Sequence, residues 1–475
     1  MMQKMGDRRR ADVARWRWGA AALLAGLLLR MFFVHIHPLF LGDTLTYGDL
    51  AHNMLAHHVY GLTEDRIRPT LIRLPGYPLF LAACFVVFGN ANYLAVVWVQ
   101  VAMDLVACAL LGLLAARLMG RRAGLAVLWL AALCPFTANY AAAALTETLS
   151  LFCVTLAFFG LERWVSRWRD GERGLGWAAV VGVALAVAVL TRPDEGLLAA
   201  AVVPVMVWVG LRVGRKGFVG GLMPAVVASA IVVLSLSVWA GRNWRTFHVI
   251  QPLAPKYAND PGEVVNYGFQ RWYRTWAIEF KSTVDVYWNY DGDLLRVEDL
   301  PDRAFDSAEQ RAETSALYAQ YNAESAATPA FDAAFGRIAA ERVAAHPLRY
   351  YVVLPVAREM NMWLRPRTEL MKMPIDWWAW RAHPGRSVFE MGCALLDAAY
   401  LLLAMIGLWR WRSRGWSGNA ALAFAMVGFV ALRCVLLLTL DNSEPRYTLE
   451  CFPVVIVLAG FVFARASGGF VSRTC

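Results

Sequence analysis

The sequence predicts an all-α polytopic membrane protein with about ten transmembrane helices, interfacial helices between them, and a mixed, mainly helical outer domain. Three observations predict it. The 475 residues have a mean hydropathy of +0.44, with 59% hydrophobic and only 17% charged, which is too apolar for an ordinary soluble enzyme. Apolar runs near or at the length needed to cross a bilayer recur along most of the chain. Basic residues gather on alternate loops between those runs, as the positive-inside rule requires of cytoplasmic ends.

The opening "MMQKMGDRRRADVARWRWGAAALLAGLLLRMFFV" has the basic flank of a signal peptide. Its apolar run is longer, and no small-residue cleavage site follows, so it reads as an uncleaved first span, Trp18–His37. Six more runs follow at Asn92–Leu118, Ala123–Tyr140, Thr146–Trp164, Gly176–Leu190, Glu195–Leu211 and Phe218–Ala240. Three close the chain at Val388–Leu408, Ser417–Leu440 and Tyr447–Ala464. Two shorter candidates, Pro75–Gly89 and Tyr350–Leu364, have about 15 residues each, fewer than a span needs. If neither crosses, the basic N-terminus, Arg117/Arg121/Arg122, "RWVSRWRDGER", Arg212/Arg215/Lys216 and "RWRSR" all face the cytoplasm. The two short candidates are therefore read as interfacial or re-entrant helices on the outer side.

This layout divides the chain into three. Residues 1–240 form a seven-helix transmembrane module with a first outer loop at 38–91, residues 241–387 form the outer domain, and residues 388–475 supply a three-helix C-terminal region. Within the outer domain, "SAEQRAETSALYAQYNA" and "TPAFDAAFGRIAAERVAAHP" have helical spacing, with Thr328 as N-cap, Pro329 at N1 and Pro347 as the stop. Gln251–Tyr290, rich in Trp, Tyr, Asn and Pro, reads as irregular with short strands.

The net charge of +10 does not point to nucleic acid. Residues 241–387 hold 18 of the 46 basic and 18 of the 36 acidic residues, so the excess lies in the membrane-rich remainder and reports topology. Most of the eight cysteines (Cys84, Cys108, Cys134, Cys153, Cys393, Cys434, Cys451 and Cys475) lie in or beside apolar runs. None forms CxxC, so neither a disulfide framework nor a thiolate metal site is expected.

Candidate chemistry begins at "FLGDTLTYGDLAHNMLAHHVYG". Asp43 follows the first span directly, with Tyr47 and Asp49 close behind on a short amphipathic helix. A carboxylate at the water boundary suits a general base between a lipid phosphate and an acceptor hydroxyl. It equally suits a helix N-cap. Arg73, in "IRLPGYPLFLAACFVVFG", can take a phosphate bidentately or simply snorkel. "LTETL" and "TRPDEG" bring Glu147, Arg192, Asp194 and Glu195 to helix ends on the same side, where capping is the ordinary role. "LTLDNSEPRYTLECFPVV" adds Asp441, Glu444, Arg446 and Tyr447. The chain has no GxGxxG and no Walker A sequence, so a nucleotide-sugar donor lacks a binding domain and a donor would be lipid-borne.

Taken in order, "GDTLTYGDLAHNML", "RLPGYPLFLA", "LTETLSLF", "TRPDEGLL", "GRNWRTF" and "EPRYTLECFPVV" resemble the GT-C superfamily of integral membrane glycosyltransferases. The similarity is to the branch of protein O-mannosyltransferases and aminoarabinose transferase, and it is weakest over Gln251–Ser387. The resemblance implies the GT-C fold and inverting transfer of a hexosyl or pentosyl group from a polyprenyl-phosphate donor to a hydroxyl of a glycolipid, polysaccharide or protein. It places the protein in the plasma (inner) membrane with the site on the extracytoplasmic face, and its partners are the lipid donor, membrane lipid and a hydroxyl acceptor, with no nucleic acid. It gives Asp43 the role of catalytic base. Cations near the departing phosphate stabilise its growing charge, and the candidates are Arg73, Arg192, Arg242 and Arg446. Asp49, Tyr47, Glu147 and Tyr447 are candidates for acceptor binding or for support of the site.

No cofactor is expected. His35, His37, His52, His57 and His58 crowd the first loop without the i, i+4 spacing of a helical metal site, although some GT-C enzymes use a divalent ion and metal dependence stays open. The rival reading is a transporter or flippase for a lipid-linked sugar. Transporters place charges near the bilayer midplane, and here Asp104 alone reads as buried in a span.

Overall fold

The structure, a computed structural model, describes residues 2–37, 40–212, 217–324 and 326–464; Arg215, Lys216 and Cys475 lie outside the described residues. The chain packs as two compact units, one of Met1–Asp260, Ala398–Val430 and Leu449–Cys475 and the other of Pro261–Asp397 and Ala431–Thr448. Residues 241–260, expected in the outer domain, fall in the first unit for two reasons. The last helix of the module runs on to Phe247, and the Asp260 carboxylate accepts a hydrogen bond from the Leu71 amide at 2.8 Å.

In the first unit the elements run α1 Met2–Ile36, α2 Thr44–His57, β1 Gly61–Thr63, β2 Ile67–Pro69, α3 Gly76–Phe88, α4 Tyr93–Met119, α5 Arg121–Ala132, α6 Pro135–Ala141, α7 Glu147–Arg169, α8 Leu175–Thr191, α9 Gly196–Arg212 and α10 Gly217–Phe247. Every apolar run read as a span is helical. Among the described residues eight helices are long and apolar enough to cross a membrane, and nine if α5 and α6 count as one. Those two meet at a 54° bend, because Pro135 has no N–H to continue the helix. The fifth expected span, α8, has only 17 residues. It ends where Arg192 precedes Pro193, which disfavours helical backbone, and Arg192 is accordingly extended (φ −144°, ψ 129°). At 13 residues, α3 rises only about 20 Å, short of a hydrocarbon core.

α4 packs on α5 and α7, α7 on α8, and α8 on α10, giving a core of small and branched side chains such as Ala115, Val154, Ala184 and Ala228. The antiparallel ribbon β1–β2, paired Gly61 with Pro69 and Thr63 with Ile67, lies in the first loop.

The second unit contains α11 Tyr267–Arg274, α12 Phe280–Ser282, α13 Ala308–Glu324, α14 Pro329–Ala345 and α15 Leu354–Trp363. The Thr328 hydroxyl accepts from the Phe331 amide at 3.3 Å and Pro329 opens α14, as the sequence predicts. Gln251–Tyr290 differs from expectation, since α11 and α12 form there and its described residues include no strand. Its aromatic residues form the unit's core instead: Phe269 stacks on Tyr290 at 3.7 Å, with Trp272, Tyr318 and Phe335 around them. α16 Pro384–Ser413, α17 Ala420–Leu437 and α18 Phe452–Gly460 complete the chain.

Candidate functional site

Asp43 occupies the N-cap position of α2, yet its side chain makes no capping hydrogen bond. Its Oδ1 instead faces Nη2 of Arg73 at 3.2 Å, with 29% and 25% of the two side chains exposed. The capping reading therefore loses its geometry. Solvent and a bound ligand can reach the pair.

Arg73 is held in place from behind. Leu71 and Leu74 are buried with Trp239, the Tyr60 hydroxyl donates to the Arg73 carbonyl at 3.0 Å, and Asp260 takes the Leu71 amide. Just beyond, Gly76 lies against the end of α8. A Cβ at that position would come within 2.6 Å of the Leu190 carbonyl and the Thr191 amide nitrogen. That close approach, possible only for glycine, sets the Arg73 turn beside Arg192. Gly76→Ala is accordingly expected to lower turnover and expression together, because backbone on both sides must move. Near-normal turnover in that variant would show that the two segments are not coupled.

The second cluster surrounds Arg192. Its Nη1 donates to Glu147 Oε1 at 3.2 Å, its Nε lies 3.3 Å from Asp194 Oδ1 and 3.2 Å from Glu450 Oε1, and the Glu147 and Glu450 residues are both 0% exposed. Next to it the Ser150 hydroxyl donates to Glu195 Oε1 at 2.5 Å. Three carboxylates thus converge on this guanidinium and hold it between the starts of α7 and α9 and the segment before α18. Glu450 escapes the sequence reading, and its signal there is a lone acid next to an apolar run.

A short turn joins the two clusters. The Thr44 hydroxyl lies 3.2 Å from the Ala144 carbonyl, and the Gln100 amide donates to the Ala143 carbonyl at 2.6 Å while accepting from the Tyr77 hydroxyl at 2.7 Å. Thr44 follows Asp43, and Ala144 lies three residues before Glu147. Just upstream, His37 Nε2 hydrogen-bonds Asn139 Oδ1. His37 Nδ1 and Asn139 Nδ2 have no partner among the described residues.

The remaining candidates divide. Tyr47 is buried edge-on to Tyr77 at 5.2 Å. Asp49 accepts from the Thr63 amide (2.6 Å), the Thr63 hydroxyl (2.9 Å) and Asn53 Nδ2 (3.2 Å), so it ties α2 to β1. Arg242, expected to face a phosphate, donates to the Thr70 carbonyl at 2.7 Å and the Tyr60 carbonyl at 2.5 Å, and lies over the rings of Tyr60, Trp239 and Phe247. It braces the first loop. In the second unit Arg446 pairs with Glu444 at 2.5 Å, and the Tyr447 hydroxyl donates to the same carboxylate at 2.8 Å.

Among the described residues no group of three or more His, Cys, Asp or Glu side chains is arranged to hold a metal ion. Asp43 faces Arg73, and His52 hydrogen-bonds Asn90 at 2.9 Å.

Residues 69–239, a little over a third of the chain, match the family model described as dolichyl-phosphate-mannose-protein mannosyltransferase. The GT-C resemblance read from the motifs is thus matched over the segment that carries Arg73, Glu147 and Arg192. No curated protein matches the chain. Among solved structures, the apo oligosaccharyltransferase of Archaeoglobus fulgidus is 14% identical at a TM-score of 0.49, covering 94% of this chain and 50% of that one. The same archaeon's AglB with an inhibitory peptide and a dolichol-phosphate is 13% identical at 0.48, covering 94% and 50%. ArnT from Cupriavidus metallidurans bound to undecaprenyl phosphate is 15% identical at 0.38, covering 94% and 78%. The chain spans about half the length of the archaeal structures it matches.

Proposed function

We propose that the protein is an inverting glycosyltransferase that moves a hexosyl or pentosyl group from a polyprenyl-phosphate donor to an acceptor hydroxyl at the extracytoplasmic face of the plasma (inner) membrane. The observation that carries this reading is the Asp43–Arg73 pair, a reachable carboxylate with no capping duty held 3.2 Å from a guanidinium. The motif order and the family match over residues 69–239 support the reaction class.

In this reading the acceptor oxygen attacks the anomeric carbon and its proton passes to the Asp43 carboxylate. The bond from that carbon to the phosphate oxygen breaks, and the electron pair leaves with the polyprenyl phosphate. Arg73 offsets the charge that builds there in a site partly shielded from water. Arg192, Glu147 and Glu450 hold the adjoining turn in shape. No step passes through a metal.

The test is incubation of membranes with labelled polyprenyl-phosphate sugars and, separately, with nucleotide sugars, reading products by mass spectrometry. Transfer from at least one lipid-borne sugar, persisting in chelator and reduced by Arg73→Ala in a protein that still folds, is the expected result. Transfer by purified, lipid-depleted protein from a nucleotide sugar would sink the proposal. A vesicle assay showing translocation of a lipid-linked sugar without transfer would establish the flippase reading instead.

A further inference from the structure

One buried pair plays no part in that chemistry. Arg30 of α1 and Asp104 of α4 form an ion pair with side chains 0% and 5% exposed, Nε to Oδ2 at 2.7 Å. Charges inside spans are costly and ordinarily mark function. In an ion path they would face water or a mobile partner. Arg30 faces fixed groups instead: Nη1 donates to the carbonyls of Ala132 at 2.7 Å and Gly26 at 2.8 Å, and Nη2 lies 3.4 Å from Cys108 Sγ.

Ala132 is the last residue of α5, at the 54° bend into α6. The carbonyls at a helix end need donors from elsewhere, and that end of the helix dipole favours a cation. Arg30 supplies both, while Asp104 neutralises and orients it. α1 also lies hard against the bend, since a Cβ on Gly26 would sit 3.0 Å from the Ala132 carbonyl. Downstream of the bend, α6 carries Asn139, and the turn after it carries the Ala143 and Ala144 carbonyls that Gln100 and Thr44 grip.

We propose that the Arg30–Asp104 pair is a positioning element: it fixes the angle between α5 and α6 and thereby places the 142–146 turn between Asp43 and Glu147. The catalytic consequence rests on the glycosyltransferase reading, and the geometric one does not. Replacing a buried ion pair by apolar residues of similar volume is often neutral or stabilising, so a pair serving stability alone is replaceable without loss of activity. A positioning pair is not.

The experiment compares the wild type with the double variant Arg30→Met/Asp104→Leu in bilayer nanodiscs, measuring melting temperature, kcat and KM for the lipid-borne donor, and hydrogen exchange over residues 133–146. Expected are a melting temperature near that of the wild type, faster exchange confined to 133–146, and a kcat lower by about 10- to 100-fold, the scale of a small misplacement of reacting groups. The donor KM should hardly move. A double variant with wild-type kcat, a loss carried by KM, unchanged exchange at 133–146, or failure to fold would each overturn the proposal. Should the wild type itself use no lipid-borne sugar, the glycosyltransferase reading fails while the exchange measurement still decides whether the pair fixes the bend.

Discussion

Asp43→Asn is expected to lower turnover by about 10²- to 10⁴-fold, the usual contribution of a general base, with little change in melting temperature. The stability half follows from the geometry at the start of α2. Asp43 makes no side-chain cap bond, and its ion pair with Arg73 is partly exposed, so its loss costs less than breaking a fully buried pair. The rate half follows from chemistry, because an amide of the same shape cannot take the acceptor proton. Asp43→Ala should therefore match Asp43→Asn in both measurements. A capping residue gives a different pattern: Asn keeps the rate, and Ala loses stability first. Near-wild-type turnover in Asp43→Asn would falsify the base assignment. It would make Asp49, held by Thr63 and Asn53, or Glu147, held by Arg192, the next residue to test.

How far the sequence could be read depended on the range of the interaction. The spans were legible because twenty apolar residues in a row have few other fates, and the start of α14 was legible because Thr328 and Pro329 act on their own neighbours. Asp43 was legible as a candidate for the same reason, since a charge just past a span is anomalous on local grounds. The carbonyl partners of Arg242 were not legible, because an arginine at a helix end looks the same in sequence whether it meets a phosphate or two carbonyls of another loop. The Arg30–Asp104 pair joins residues 74 apart, and Glu450 reaches Arg192 from the far end of the chain. Composition and periodicity carry no record of such pairings. The aromatic stretch before Tyr290 shows a further limit: its local signals suggest irregular backbone, and core packing around Phe269 and Trp272 makes part of it helical.

Arg192→Ala is expected to act in the opposite way to Asp43→Asn, destabilising the protein by about 3–5 kcal/mol, the cost of breaking a buried ion pair on one side. Glu147 and Glu450 are fully buried, and with Asp194 they converge on this guanidinium, so its removal takes one counter-charge from carboxylates in a low-dielectric interior. The loss should appear as a lower melting temperature and poor expression, with turnover falling only in proportion to folded protein. Arg192→Met combined with Glu147→Gln should recover part of the stability, because one buried charge leaves with the arginine. Arg73→Ala provides the contrast, being partly exposed: its melting temperature should stay near normal while kcat/KM for the lipid donor falls. If Arg192→Ala instead melts normally and raises the donor KM, then the guanidinium turns from its carboxylates to the phosphate when donor binds, and Arg192 belongs to the binding machinery after all. The two arginines stand a few residues from the same glycine contact, and what separates them is the company each keeps: the accessible Asp43 carboxylate beside Arg73, and the fully buried Glu147 and Glu450 carboxylates beside Arg192.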